Sequence, residues 1–162
     1  MIVLGIDPGL ANTGWGVIER RGSRMRCLAY GCITTSPSRS TAGRLAEIHG
    51  GIISVIDRYG PDTAAVEHVY FSNNAKTAFA TGQARGVALL AASVMPVGEY
   101  GPGEIKLAVV GAGDADKRQV QYMVRSILGL PADPQPDHAA DALAAAICHV
   151  HSQVPTVMGG GR

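Results

Sequence analysis

The stretch that decides the fold is residues 1–19, MIVLGIDPGLANTGWGVIE. Met1 to Ile6 is an apolar run of strand length, and Asp7 closes it. Gly14 to Glu19 reads as a second strand, so the residues from Pro8 to Thr13 must turn the chain. A carboxylate at the end of a buried strand is costly to desolvate unless something compensates it. Asp-Pro-Gly is also ordinary turn chemistry. The stretch alone leaves both readings of Asp7 open.

Outward from it, Arg20 to Arg24 suits a hairpin turn and Met25 to Thr34 a third strand. After a loop around Pro37, the residues Leu45, Ile48, Ile52, Val55, Ile56 and Tyr59 recur on one face of a helix over about 41–59. Gly60-Pro61 stops that helix. A fourth strand is predicted over Thr63 to Val69, with Glu67 near its end. Asn74 to Ser93 reads as helix, carrying Phe79, Val87, Leu89 and Leu90. Val94 to Tyr100 reads as a fifth strand, and Pro102 to Val109 as a short helix. Asp116 and Gln119 form a capping-box pattern before a helix that Gly129 ends. The linker LPADPQPD leads into an alanine-rich helix over about 136–151, and residues 152–162 read as a frayed tail. Three adjacent strands followed by alternating helices and strands imply an α/β fold, a five-stranded mixed sheet flanked by helices. Neither GxGxxG nor GxxxxGK[ST] occurs, so the common dinucleotide and P-loop readings lack support.

A chain of 162 residues is the size of one domain and can bury a core without a disulfide or metal staple. With 46% apolar and 17% charged residues it is globular rather than disordered. No apolar run is long enough to span a membrane, and Asp7 interrupts the first one too early for a signal sequence, so a cytoplasmic location is expected. Cys27, Cys32 and Cys148 lack zinc-ligand pairing and read as free thiols. A net charge of +1 does not advertise nucleic-acid binding, but its distribution matters more. Arg20, Arg21, Arg24 and Arg26 cluster, and Lys117-Arg118 form a pair. These are either solvated loops or two phosphate-contacting edges around an acidic centre.

Three carboxylates share an unusual context. Asp7 ends a strand, Glu67 ends AAVE, and Asp141 sits in a helix that is nearly all alanine. His138 lies three residues before Asp141 and shares its helix face. The neighbours Ala139, Ala140 and Ala142 are small enough to let that helix approach a sheet closely. Each of the four has an ordinary explanation in a turn or on the surface. Jointly, strand ends and a terminal helix can converge, and three carboxylates with an imidazole suit two divalent ions about 3.5–4 Å apart, acting on a phosphodiester.

Four motifs occur in order: GIDPGLANTGWGV, AAVEHVYFSNNAKTAFATGQARGVAL, GEIKLAVVGAGDADKRQVQYMV and PDHAADALAAAICH. On these the chain, over about residues 1–151, resembles the RuvC family of Holliday-junction resolvases on the RNase H-like fold. The resemblance implies a catalytic, metal-binding set of Asp7, Glu67, His138 and Asp141, loaded with two Mg²⁺ or Mn²⁺ ions. Many members carry aspartate at the position of His138, and histidine also belongs to the family pattern. Imidazole is softer than carboxylate, so Mn²⁺ is expected to support more activity than Mg²⁺. By motif match, Lys106 and Lys117 hold the scissile phosphates, and Arg118 supports them. Tyr70 matches the family's aromatic near the junction centre, in a chain of which only 5% is aromatic. The implied assembly is a homodimer on a four-way DNA junction, making paired symmetric nicks in recombination and repair alongside the branch-migration proteins RuvA and RuvB. On this reading Asp7 bridges two ions while Pro8 and Gly9 keep it accessible. Two rivals come from other classes. GIDPGLANTG is also similar to the phosphate loop of actin- and Hsp70-like ATPases, which need two such lobes. A catalytically silent junction-binding protein would not need all four candidate ligands.

Overall fold

The computed structural model describes residues 1–68 and 74–153. Its elements are β1 (Ile2–Asp7), β2 (Asn12–Arg21), β3 (Arg24–Thr34), α1 (Thr41–Tyr59), β4 (Thr63–Glu67), α2 (Ala75–Ala92), β5 (Val97–Tyr100), α3 (Pro102–Val110), α4 (Lys117–Leu128) and α5 (Asp137–Ser152). The strands form one sheet in the order β3-β2-β1-β4-β5. β1, β2 and β3 are antiparallel, whereas β4 and β5 run parallel to β1. This is the mixed five-stranded sheet that the strand pattern predicts.

Side-chain alternation assigns each strand residue to one of two cores. Leu4, Ile6, Val17, Ala64 and Val66 face α1 and α2. Val3, Ile18 and Ala65 face α3, α4 and α5. α1 buries Ile48, Ile52 and Val55, as its spacing predicts. Each such side chain contributes about 1.5–3 kcal/mol of apolar burial. Ser40 caps its first turn by accepting from the Gly43 amide, and Gly60 ends it at φ 54°. The Asp116–Gln119 capping box opens α4, and Gly129 closes it at φ 64°.

Three boundaries differ from the sequence reading. β2 begins at Asn12, because the Asp7↔Gly14 register continues the ladder into the turn. The β2–β3 hairpin is only two residues long, with Gly22 at φ 60°. β5 starts at Val97, and Val94 lies in the exposed turn before it. The packing of α2 is left open by the sequence. α2 buries Ala84, Ala88, Ala91 and Ala92 and leaves Phe79 and Leu90 outside, 71% and 65% exposed. Small residues seat this helix close against α1 and the sheet, and the large ones are left on its far face.

The hairpin also decides between the two readings of the arginine cluster, in favour of solvated loops. Ile2 pairs with Glu19 at one end of β1, and Asp7 with Gly14 at the other. Arg20, Arg21, Arg24 and Arg26 therefore lie at the opposite end of the sheet from Asp7. Glu19 binds both Arg21 and Arg26, at 2.8 and 2.6 Å. The cluster is partly neutralised and does not edge the acidic centre. Among the described residues, no helix is long and apolar enough to cross a membrane.

Candidate active site

β1 and β4 are parallel neighbours in the register Ile6↔Val66, so their last residues, Asp7 and Glu67, end side by side. Alternation turns both side chains toward α5, because Gly5 and Ala65 lie two positions back on that face. α5 then comes unusually close. A Cβ placed on Gly14 would overlap the carbonyl of His138, one on Gly5 that of Ala142, and one on Gly16 would meet Leu143 Cδ2 at 2.5 Å. The buried alanines of α5 supply the other half of this seam. Glycines on the strands and alanines on the helix together bring His138 and Asp141 onto Asp7.

His138 Nδ1 lies 2.8 Å from Asp7 Oδ2. One ligand atom from each of Asp7, His138 and Asp141 falls within 4.8 Å of the others. The Asp7 side chain is 14% exposed and that of His138 44%, so the cluster is anchored inside and open outside. Glu67 lies outside that three-residue cluster but ends the neighbouring strand beside Asp7, close enough for the charges of Asp7 and Asp141 to act on it. Burial pushes the Glu67 carboxyl up to about 8, aided by the charges of Asp7 and Asp141. Burial, then Asp7, also raises Asp141. Crowded carboxylates held above their ordinary range are what a multivalent cation would relieve. The donors are hard oxygens plus one imidazole, which suits Mg²⁺ or Mn²⁺. These four residues fit a divalent metal centre.

A cleft of about 240 Å³ beside Glu67 and Asp141 is lined by Lys106 and Lys117. Lys117 Nζ reaches Asp137 Oδ2 at 3.0 Å and Asp141 Oδ2 at 3.8 Å. Burial works against the Lys117 ammonium, but the hydrogen bond with Asp137 and the charge of Asp141 outweigh it and raise its pKa. Arg118 points elsewhere, into a separate shallow cleft with Tyr122 and Met123. Tyr70 lies outside the described residues.

Sequence reasoning missed a clamp behind Glu67. The His68 amide donates to the Tyr100 carbonyl at 2.7 Å. Its ring lies 3.2 Å from Arg85, which also pairs with Glu99. A lone arginine among the apolar residues of GQARGVALL was the available signal.

The sequence matches the family described as crossover junction endodeoxyribonuclease RuvC over residues 3–149. The chain belongs to that family. It is 50% identical to the family's protein from Desulforamulus reducens over 162 residues, covering 99% of this chain and 98% of that one. With the protein from Moorella thermoacetica it shares 52% over 151 residues, 92% and 90% of the two chains. The fold is similar to that of T. thermophilus RuvC in complex with Holliday junction substrate. The TM-score is 0.88, with 40% identity and 93% of each chain covered.

Proposed function

We propose that this protein is a crossover junction endodeoxyribonuclease that resolves Holliday junctions in recombination and repair, acting through Asp7, Glu67, His138 and Asp141. The observation that carries this reading is their convergence at the carboxyl ends of two parallel strands, in a member of the RuvC family. Two divalent ions held there would activate water and stabilise the leaving oxygen of a phosphodiester. The chain's own residues supply the rest. Asp7 is bonded to His138 and ends its strand beside Glu67, so it is the carboxylate placed for sharing. With its carboxyl pushed up to about 8 by burial and by the charges of Asp7 and Asp141, Glu67 would give up a proton as it takes a cation. Lys106 and Lys117, in the adjoining cleft, hold the scissile phosphate, and Lys117 exchanges Asp137 for it. Arg118 contacts phosphates farther along α4, and Tyr70 stacks at the junction centre. The nuclease domain spans 1–151.

The assembly is a homodimer built on α2. Its outward stripe is Phe79, Gly82, Gly86 and Leu90. An added Cβ at either glycine meets nothing within 4 Å, so a second helix can come close. A two-fold interface would set one site on each of two symmetry-related strands. Gly86→Glu keeps the protomer fold, since that position is open. It should yield a monomer by sedimentation that nicks without pairing. The cytoplasm is the proposed location, with RuvA and RuvB as partners.

The primary test is incubation with a synthetic mobile four-way junction in Mg²⁺ or Mn²⁺. Paired symmetric nicks, faster in Mn²⁺ and absent from linear duplex, are expected. No cleavage in either metal would overturn the reading.

A further inference from the structure

The acidic cluster has two flanks. One is the cleft of Lys106 and Lys117. On the other side of His138 lies a larger open cleft, about 450 Å³, whose lining includes Arg44 from outside the four motifs. The loop Gly9–Asn12 forms its floor, Arg44 comes from α1, and Lys76 and Thr77 come from the first turn of α2.

The two cations here carry no carboxylate partner among the described residues, a state they share with Arg20, Arg24, Arg58, Lys106 and Arg118, whereas six others are paired. Arg21, Arg26, Arg39, Arg85, Lys117 and Arg125 each pair with a carboxylate. Arg44 and Lys76 form no ion pair with any described residue, although an acidic cluster borders their cleft. Arg44 is nevertheless held in place. Its Nε donates to Thr35 Oγ1 at 2.8 Å, and that hydroxyl donates to the Leu10 carbonyl at 2.6 Å. Thr35 is 3% exposed, and its amide donates to the Ala11 carbonyl at 3.0 Å. The arginine is thus tied through a buried threonine to the loop that leaves Asp7, with its terminal nitrogens left for something else. The N-terminus of α2 adds favourable potential for an anion on the same cleft.

We propose that Arg44 and Lys76 form a second phosphate-binding subsite, which grips the DNA backbone on the side of the acidic cluster opposite Lys106 and Lys117. This rests on the endonuclease reading above. Its ligand is a phosphodiester of the strand crossing the site, not the scissile one. A strand held by cations on both flanks cannot pivot about the cluster, so the scissile phosphate is positioned from two sides. Sequence-independent grip is the expected chemistry, because the cleft offers cations and hydroxyls to a phosphate.

The test is equilibrium binding of a fluorescent four-way junction between 50 and 300 mM salt, on the order of the range in which counterion release is read. EDTA is present so that no cleavage competes. Arg44→Gln and Lys76→Gln should each weaken binding several-fold and lower the slope of log K against log salt by about 0.9. The double variant should lower it by roughly twice that. Arg44→Lys should restore most of the slope. Arg24→Gln removes the same charge at the far end of the sheet and should leave the slope unchanged. Calorimetric Mn²⁺ affinity should not move in any of them. Lys76 is exposed, and its side chain has no partner among the described residues, so its variant stays folded even if Arg44→Gln does not. If the native protein binds and cleaves junctions while Lys76→Gln and the double variant keep the native slope, the subsite is overturned. If the native protein neither binds nor cleaves them, the endonuclease reading falls, and the subsite with it.

Discussion

Of the three histidines of α5, His138 near its start and His149 near its end lie 11 residues or about three turns apart and face the same sheet, while His151 is exposed. His149 is 3% exposed. Its Nε2 lies 2.9 Å from the Thr63 hydroxyl, which itself donates to the Pro96 carbonyl. Its Nδ1 lies 2.8 Å from the Tyr100 hydroxyl. Both ring nitrogens are satisfied by neutral groups, and burial lowers its pKa. His138 is close to half exposed and meets charge: Asp7 directly, with Asp141 one turn along the helix. One residue type on one helix therefore does two jobs. Closed neutral bonding makes a strut, whereas open, crowded charge makes a site. The difference arises because α5 runs from the carboxyl ends of β1 and β4, where Asp7 and Glu67 sit, toward Thr63 and Gly98 at the strand starts.

The sharpest way to break this contrast is at the charged end. Asp7→Asn should lower single-turnover junction cleavage by at least ~10³-fold, the scale on which an essential group is lost. Gel-shift binding should persist, because the amide keeps the shape. Cleavage near the native rate would remove Asp7 from the chemistry.

His138→Ala comes next. Cleavage should fall by about 10²-fold, a scale comparable with the loss of groups that orient a metal. His138→Asp should retain substantial activity and narrow the Mn²⁺-to-Mg²⁺ ratio. The melting temperature should hardly move in either. A native rate for His138→Ala in both metals would reduce the set to three carboxylates.

At the other end the pattern should invert. His149→Ala removes the ring that bonds both the Thr63 and Tyr100 hydroxyls and opens a cavity, costing ~2–4 kcal/mol. Urea melts would read this, while cleavage at low temperature stays close to native. The sign of its pH dependence is fixed. His149 titrates below its unfolded value of 6.5, so its stabilisation is complete above that pH and lost as pH falls through it. The variant should lose that acid sensitivity. Equal acid sensitivity in both proteins would show that His149 is not the strut described.

The smallest effect sharpens the comparison on Glu67. Its native pKa of about 8 exceeds the unfolded 4.5, so the protonated form favours folding below pH 4.5 and that contribution is lost as pH rises through 8. In EDTA, Glu67→Gln should therefore be more stable than the native protein at pH 9 and equal to it at pH 4. Cleavage should be lost in the same variant. Thermal melts at the two pH values give the answer, and a variant no more stable at pH 9 would mean that the carboxylates do not crowd one another.

Much of this was legible in the residues. The α1 stripe, the Asp116–Gln119 box and the capping glycines act within one or two turns, so local spacing reveals them. The Asp7, Glu67, His138 and Asp141 set was legible because its members stand out against apolar or alanine surroundings. The glycine side of the seam was not, since Gly5, Gly14 and Gly16 acquire meaning only when Ala142, His138 and Leu143 arrive from far along the chain. His149 was silent for the same reason: its partners lie 86 and 49 residues away. The inward face of α2 was not legible, because apolar residues usually point inward and here alanine does so instead. Arg44 looked like any helix arginine until Thr35 tied it to the loop.

The bond between His138 and Asp7 joins residues 131 apart in sequence. Contacts of such span close last and at the greatest entropic cost. A growing chain on the ribosome carries Asp7 almost from the start, yet it has no centre until residues 138–141 emerge and α5 seats on the glycines. Proteolytic pieces from either side should be equally inert. If the proposed site is the active one, cutting power belongs to no fragment, and an unfinished copy should leave DNA untouched.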